Sequence, residues 1–202
     1  AIKYEGYEGV ALKRAFAGQT DGEREEFVRD KHWKARLPRA EIDNFRVKNA
    51  DSREGGLVLR YDLKVPGYAD VAGDRLILNP CLFQEGAAPV FAKASREVPI
   101  SFPFRPLVTD KVTINVPEGF AYEASAGASA EYEGAMVKRR SVAAISEAGE
   151  LVYQRQYTLK GLRADPKYYE LAKAEFDALS ESDHRPLTFL RETSETLANT
   201  VQ

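Results

Sequence analysis

Three residue types that together can do covalent chemistry occur in this chain. Cys81 is the only cysteine in 202 residues, and Asp183 and His184 stand side by side near the end of the sequence. A Cys-His-Asp hydrolase needs a thiolate, a base that generates it and a carboxylate that orients the base. The spacing argues against that use. Neighbouring residues are badly placed for an orienting hydrogen bond between their side chains. Cys81 follows Asn79-Pro80 at the end of an apparent strand, whereas a helix N-terminus is what lowers a cysteine pKa. An unpaired cysteine usually behaves as a small buried hydrophobe. Cys81 is therefore expected to pack, and no residue is assigned a catalytic role.

The other polar groupings are thinner. His32 and His184 lack the further ligands and the HExxH or paired-cysteine spacing of a zinc site. His32 is expected on the exposed side of a charged helix, and His184 just past a helix C-terminus, where it can cap. Asn49, Asp51, Ser52 and Glu54 gather oxygens in one loop but lack the Gly and Glu positions of a calcium-binding EF-hand loop. Lys138-Arg139-Arg140 is too short for a nucleic-acid footprint and reads as a solvated strand end. There is no GxGxxG and no P-loop. Neither a metal nor a cofactor is expected. Among the 10 Tyr and 10 Phe, Phe45, Tyr61, Phe102 and Tyr157 occupy alternating strand positions and are expected in the core. Tyr4, Tyr7 and Tyr132 lie beside Gly and Glu; they are the candidate ligand-facing aromatics.

Composition supports a globular chain with a sizeable core: 44% of residues are hydrophobic and 30% charged. With 29 basic and 31 acidic residues the net charge is −2, which lacks the cationic excess of a non-specific nucleic-acid binder. One cysteine excludes an intramolecular disulfide. No apolar run approaches the roughly 18 residues of a membrane-spanning helix, and the first residues do not lead into a signal-peptide core. The chain opens on Ala1 without Met, as expected of a piece excised from something longer.

The elements that must position these residues follow from periodicity. Val10, Leu12 and Phe16 suggest a short first strand. Thr20 and Glu23 form a capping-box pattern that opens a helix from Asp21 to Leu37, stopped by Pro38. Its apolar stripe is Phe27, Val28 and Trp33. The period then changes to two. Asn44 to Lys48 and Leu57 to Val65 alternate around a turn-rich loop at 49–56. Leu76 to Leu78 returns after the Ala72-Gly73-Asp74 turn. Val98 to Phe104 holds two prolines, which forbid a central strand, and is expected to be an edge strand or an extended crossover. Val112 to Val116, Phe120 to Ala124 and Tyr132 to Lys138 are further short strands, with a small-residue loop at 125–130. Val142 to Ser146 and Leu151 to Leu159 form a hairpin around Ala148-Gly149. Asp165-Pro166 starts a second amphipathic helix, to about Ser182, and Leu187 to Leu190 is a last strand. The expected fold is mainly β: an antiparallel β-sandwich with one N-terminal and one C-terminal amphipathic helix. Its expected divisions are a linker and first strand over 1–20, the sandwich over 21–192, and a frayed tail over 193–202.

Across most of its length the sequence resembles the C-terminal β-sandwich domain, of unknown function, of bacterial three-part proteins with a transglutaminase-like core. The resemblance is carried by Tyr7-Glu8-Gly9-Val10-Ala11 leading to Arg14, by Glu25-Glu26, by Leu57 to Tyr61, and by Gly73-Asp74 and Leu78-Asn79-Pro80 with Phe83. It continues in Arg96 to Ile100, Asp110-Lys111-Val112, Pro117 to Phe120, Tyr168-Tyr169 and Asp183-His184-Arg185. It implies that the catalytic Cys, His and Asp belong to an upstream domain, which would be this module's partner, and that the setting is extracytoplasmic. On that basis the chain is expected to be a non-catalytic accessory domain that packs against or positions such a core. The alternative is a carbohydrate- or peptide-binding module of the cell envelope.

Overall fold

The computed structural model describes residues 1–123, 129–147 and 150–192. The expected loop at 125–130 in most of its length, the Ala148-Gly149 turn and the 193–202 tail lie outside the described residues. Among the described residues strand exceeds helix, 37% to 24%, so the fold is mainly β, and its sheets are antiparallel. It divides into two compact units, Ala1–Tyr68 and Ala69–Gln202. The expected single sandwich over 21–192 does not mark this division.

The first unit is a three-stranded sheet covered by helices. Strand β1 (Ile2–Tyr4) leads into helix α1 (Gly6–Phe16), and helix α2 (Asp21–Val28) runs on into a π-helical turn at Arg29–Trp33. Strands β2 (Glu41–Lys48) and β3 (Leu57–Lys64) complete a sheet of order β1-β3-β2. The expected strand through Val10, Leu12 and Phe16 is in fact α1. Leu12 and Phe16 are buried together with Gly9, a spacing of three and four, while Val10 is 50% exposed. A Cβ at Gly9 would lie 2.6 Å from the Tyr4 carbonyl oxygen, so glycine is what lets β1 and α1 approach this closely. The helix expected from Asp21 starts as its capping box dictates. The Thr20 side chain accepts from the Glu23 amide, and the Thr20 amide donates to the Glu23 carboxylate at 2.7 Å. It widens at Arg29, where Lys34 N–H reaches the Arg29 carbonyl. Val28 and Trp33, five residues apart, are both buried, and the wider π turn brings them closer to one face than an α turn would. Trp33 meets Tyr61 edge-on and donates its indole N–H to the Tyr61 hydroxyl, and Phe45 stacks on Tyr61.

The second unit holds two four-stranded antiparallel sheets. Its strands are β4 (Asp70–Ala72), β5 (Arg75–Leu78), β6 (Ile100–Ser101), β7 (Leu107–Ile114), β8 (Phe120–Glu123), β9 (Ala130–Glu133), β10 (Val137–Ile145), β11 (Leu151–Leu159) and β12 (Arg163–Ala164). Helix α3 (Tyr169–Asp183) and strand β13 (Leu187–Arg191) follow. One sheet runs β7-β11-β10-β9 and the other β4-β5-β13-β8. Leu151 of the first packs with Leu187 and Phe189 of the second, within a shell that includes Leu78, Ile114 and Tyr122. The two sheets thus share a sandwich-like core. Further along the same face of β10 and β11, Val137 and Leu159 pack instead under α3, against Tyr169, Ala172, Phe176 and Leu179.

The β10–β11 hairpin pairs Val137 with Leu159 through to Ile145 with Leu151. Where one weak strand was expected over Tyr132–Lys138, the chain turns instead. β9 and β10 flank Gly134 to Met136, and the buried Glu175 of α3 accepts from the backbone N–H groups of Ala135, Met136 and Val137 at 2.7, 2.8 and 3.1 Å. Of the run at Val98 to Phe104, expected as an edge strand or an extended crossover, only Ile100–Ser101 is strand, paired with β12. Pro99 and Pro103, without N–H groups, bound it on both sides. The strand expected from Val112 begins earlier, at Leu107, because β11 supplies a partner along the whole of β7.

A Cβ added at Gly134 would press on both carboxylate oxygens of Glu175. Gly134→Ala is expected to lower the unfolding free energy by about 2 kcal/mol. Chemical denaturation checks it, as a lower midpoint at unchanged slope.

Candidate functional site

Between the two apolar clusters of the second unit lies a belt of buried polar side chains. Period two puts Arg139 and Ser141 of β10 on the same face as Tyr153 and Arg155 of β11, and Arg155 stands directly beside Ser141 on one side and Asp110 of β7 on the other. Asp183, the last residue of α3, enters from above. Its Oδ1 accepts from Arg139 Nε and Arg155 Nε, each at 2.7 Å, and its Oδ2 accepts from Arg155 Nη2. Arg155 Nη1 also reaches Asp110 Oδ2 at 3.3 Å, where Gln84 Nε2 donates at 3.2 Å. Arg139 donates further to Ser141 Oγ at 2.9 Å and to the Tyr153 hydroxyl at 3.1 Å. Arg139, Arg155 and Asp183 are each at most 4% exposed. Two guanidinium groups and two carboxylates balance, so the belt carries no formal net charge.

Cys81 lies against this belt. It is 2% exposed, with Sγ 3.1 Å from the Tyr153 hydroxyl and 3.9 Å from Asp183 Oδ1. Burial pushes its thiol pKa up, with a contribution in the same direction from the Asp183 carboxylate. Burial likewise raises Tyr153 above the usual tyrosine range. Neither neighbour is a base that could take the thiol proton at neutral pH. His184 is not there either: it caps α3, its Nδ1 2.6 Å from the Ser180 carbonyl oxygen, and its side chain is exposed. The structure thus brings Cys81 and Asp183 together and points His184 to another partner. Burial would lower the pKa of Arg155, but the hydrogen bonds and charge of Asp183 outweigh it and raise it. Asp110 is raised despite its arginine neighbour, since burial dominates and its contact with Arg155 is the longer one.

The candidate ligand-facing tyrosines are distributed between the units. Tyr4 and Tyr7 line one groove of about 1180 Å³ in the first unit, together with Lys13, Arg14 and Arg53. Tyr7 is 61% exposed. Tyr4 is half-buried, and its hydroxyl pKa is pushed up to about 12, first by burial and then by Tyr61 and Glu8. Tyr132 belongs to the second unit, where it is half-buried and packs against the cluster under α3. His32, expected exposed, is half-buried; burial lowers its pKa, and it meets Tyr4 edge-on. The oxygen-rich loop at 49–54 is knitted together from within. Lys13 Nζ donates to the Ser52 and Gly55 carbonyls, Arg24 pairs with Asp51, and Asn49 Nδ2 donates to the Gly56 carbonyl.

The expected solvated run Lys138-Arg139-Arg140 splits by the strand period. Lys138 pairs with Glu133 at the surface, Arg140 is exposed, and Arg139 is buried. The signal that could have found it is the register itself: Val137, Arg139 and Ser141 alternate as an inward face. Asp183 has a similar signature. Tyr169, Ala172, Phe176, Leu179 and Asp183 are spaced three and four apart on one buried stripe of α3. No helix among the described residues is long and apolar enough to cross a membrane.

No family model, curated protein or solved structure matches this chain. Its class is therefore set by what has been described: a mainly β chain of two units, the second with an ionic core.

Asp183→Asn removes the charge shared by two buried arginines and is expected to cost about 3 kcal/mol or more in unfolding free energy, measurable by thermal or urea unfolding. Asp110 gives a pH signature. With its folded pKa raised above the ordinary 3.8 of an aspartate, the folded state takes up the proton first. Its contribution to stability therefore falls as pH rises from about 4 through that raised value. In Asp110→Asn this component is gone, so the variant-minus-wild-type unfolding free energy should climb with pH across that acid window. A flat or falling difference would contradict the assignment.

Proposed function

We propose that this chain is a non-catalytic accessory module that packs against or positions a transglutaminase-like core in the same polypeptide, in an extracytoplasmic setting. The core and the setting rest on the resemblance of the sequence alone. The structural observation that supports the non-catalytic part is the state of Cys81: buried, with a raised pKa, next to a tyrosine and an arginine-paired aspartate, and without a histidine. A nucleophile needs the opposite environment, exposed and electropositive with a general base at hand.

The second reading is a peptide- or carbohydrate-binding module. It is favoured by the groove of the first unit, where Tyr7 offers an exposed ring beside Arg14 and Arg53. A concave surface with a few convergent aromatic and polar groups is what such ligands use.

The native chain is expected to resist alkylation by iodoacetamide at pH 8 and to react quickly once unfolded in guanidinium, as mass spectrometry would show. Cys81→Ala should leave any measured property of the folded module unchanged apart from a stability loss of about 1 kcal/mol. Adding the module to a separately produced transglutaminase-like core from the same polypeptide should raise the core's melting temperature and protease resistance. Fast native labelling, or an acyl-transfer activity abolished by Cys81→Ala, would defeat the non-catalytic reading; an unaffected core would defeat the packing role.

A further inference from the structure

Helix α1 and the loop at 50–56 form the walls of the groove in the first unit. The 11 residues of α1 measure about 16 Å. Tyr7, Val10 and Arg14 succeed one another three and four positions apart, so they make one stripe along that wall. All three are exposed, Tyr7 by 61% and Val10 by 50%. Arg53, also exposed, belongs to the loop wall. Lys13 ties the two walls together, its Nζ donating to the Ser52 and Gly55 carbonyls at 2.9 and 2.7 Å. The groove is thus held open by the fold itself, before any ligand arrives.

Its walls are cationic, although the whole chain carries −2. The lining cations are Lys13, Arg14 and Arg53, and the lining carboxylates are Glu5 and Asp51. Both carboxylates are already paired to cations outside the lining, Glu5 to Lys3 at 2.7 Å and Asp51 to Arg24 at 3.1 Å. Glu8 and Glu54 adjoin the lining in sequence without belonging to it. Lys13 meets carbonyl oxygens and no carboxylate, and Arg14 and Arg53 take no hydrogen bond or ion pair among the described residues. Two guanidinium forks are therefore left over beside exposed apolar surface, and a guanidinium fork matches a carboxylate in two parallel hydrogen bonds.

We infer that this groove binds an extended acidic peptide segment, with carboxylates on Arg14 and Arg53 and apolar side chains on Tyr7 and Val10. About five extended residues cover the length of α1. A uronic-acid polysaccharide has the same charge but rests its sugar faces on several aromatic rings. Here one ring, Tyr7, is exposed, Tyr4 is half-buried, and the rest of the apolar surface is aliphatic, which favours peptide side chains. This inference rests on the binding-module reading and names its ligand.

The probes are a labelled peptide of about six alternating glutamate and leucine residues, its glutamine counterpart, and an oligogalacturonate, each titrated onto the whole chain by fluorescence anisotropy or calorimetry. The acidic peptide should bind with an affinity of about 0.1 mM and weaken as salt rises from about 0.02 to about 0.15 M, unlike the glutamine peptide. Arg14→Gln with Arg53→Gln should weaken the acidic peptide about tenfold, as two exposed ion pairs would, and leave the glutamine peptide within about twofold. Val10→Glu should abolish binding of the acidic peptide by placing a like charge on the stripe. All three positions are exposed, so native circular dichroism is expected throughout. Equal binding of the two peptides, or an unchanged affinity in the double arginine variant, would overturn the acidic ligand and spare the peptide-binding reading. Tighter binding of the oligogalacturonate would overturn the peptide in favour of a carbohydrate. Failure of all three probes would overturn the inference and the binding-module reading together.

Discussion

The carboxylate of Asp183 holds two buried guanidinium groups at once, and the second unit depends on that contact. Arg139 and Arg155 come from neighbouring strands of one sheet, while Asp183 comes from the end of the helix that covers it. None of the three could be buried alone without a penalty of several kcal/mol per ion. Their mutual pairing makes burial tolerable, and it sets where α3 must end over the sheet. The apolar clusters on either side contribute area; the ionic contact contributes position.

The same logic operates on a smaller scale at Glu175. One helical carboxylate collects three successive backbone N–H groups, those of Ala135 and Met136 in the β9–β10 turn and that of Val137 at the start of β10. Buried backbone donors need acceptors. Here the acceptor comes from a residue 38 to 40 positions later in the chain. Two acidic residues of α3, eight positions apart, thus attach one helix to a turn and to a strand pair.

Much of this architecture was legible in the residue order. The β10–β11 hairpin, β3, α3 with the 3-10 turn at Pro166–Tyr168 that leads into it, and the Thr20–Glu23 cap all follow from period and capping chemistry that act locally. What failed was decided by tertiary partners. Val10 and Leu12 mimic a strand over a single step of two, and only the fit of Gly9 against Tyr4 reveals the helical face. The turn at Gly134 is held by Glu175, which no local pattern around 132–138 announces. The ionic belt was half legible: Arg139 and Asp183 sit at inward positions of their elements, but a charge inside a core is anticipated only when its partners are known. Cys81 was assigned to packing on local grounds, and its burial agrees.

The alternation along β11 has a consequence for how the sheet assembles. Tyr153 and Arg155 face inward, and Gln154 and Gln156 face outward as exposed residues. Were β11 to slide by one position against β7 and β10, every one of these would exchange faces. Two glutamines would enter the core, Arg155 would leave it, and the Asp183 carboxylate would be stranded in an apolar layer with one cation instead of two. A slide by two would keep the faces but take Arg155 away from its place opposite Asp110. Purely aliphatic strands of this length forgive such errors, because one valine is much like the next. The charged belt does not, and it acts as a register key cut into an otherwise repetitive sheet.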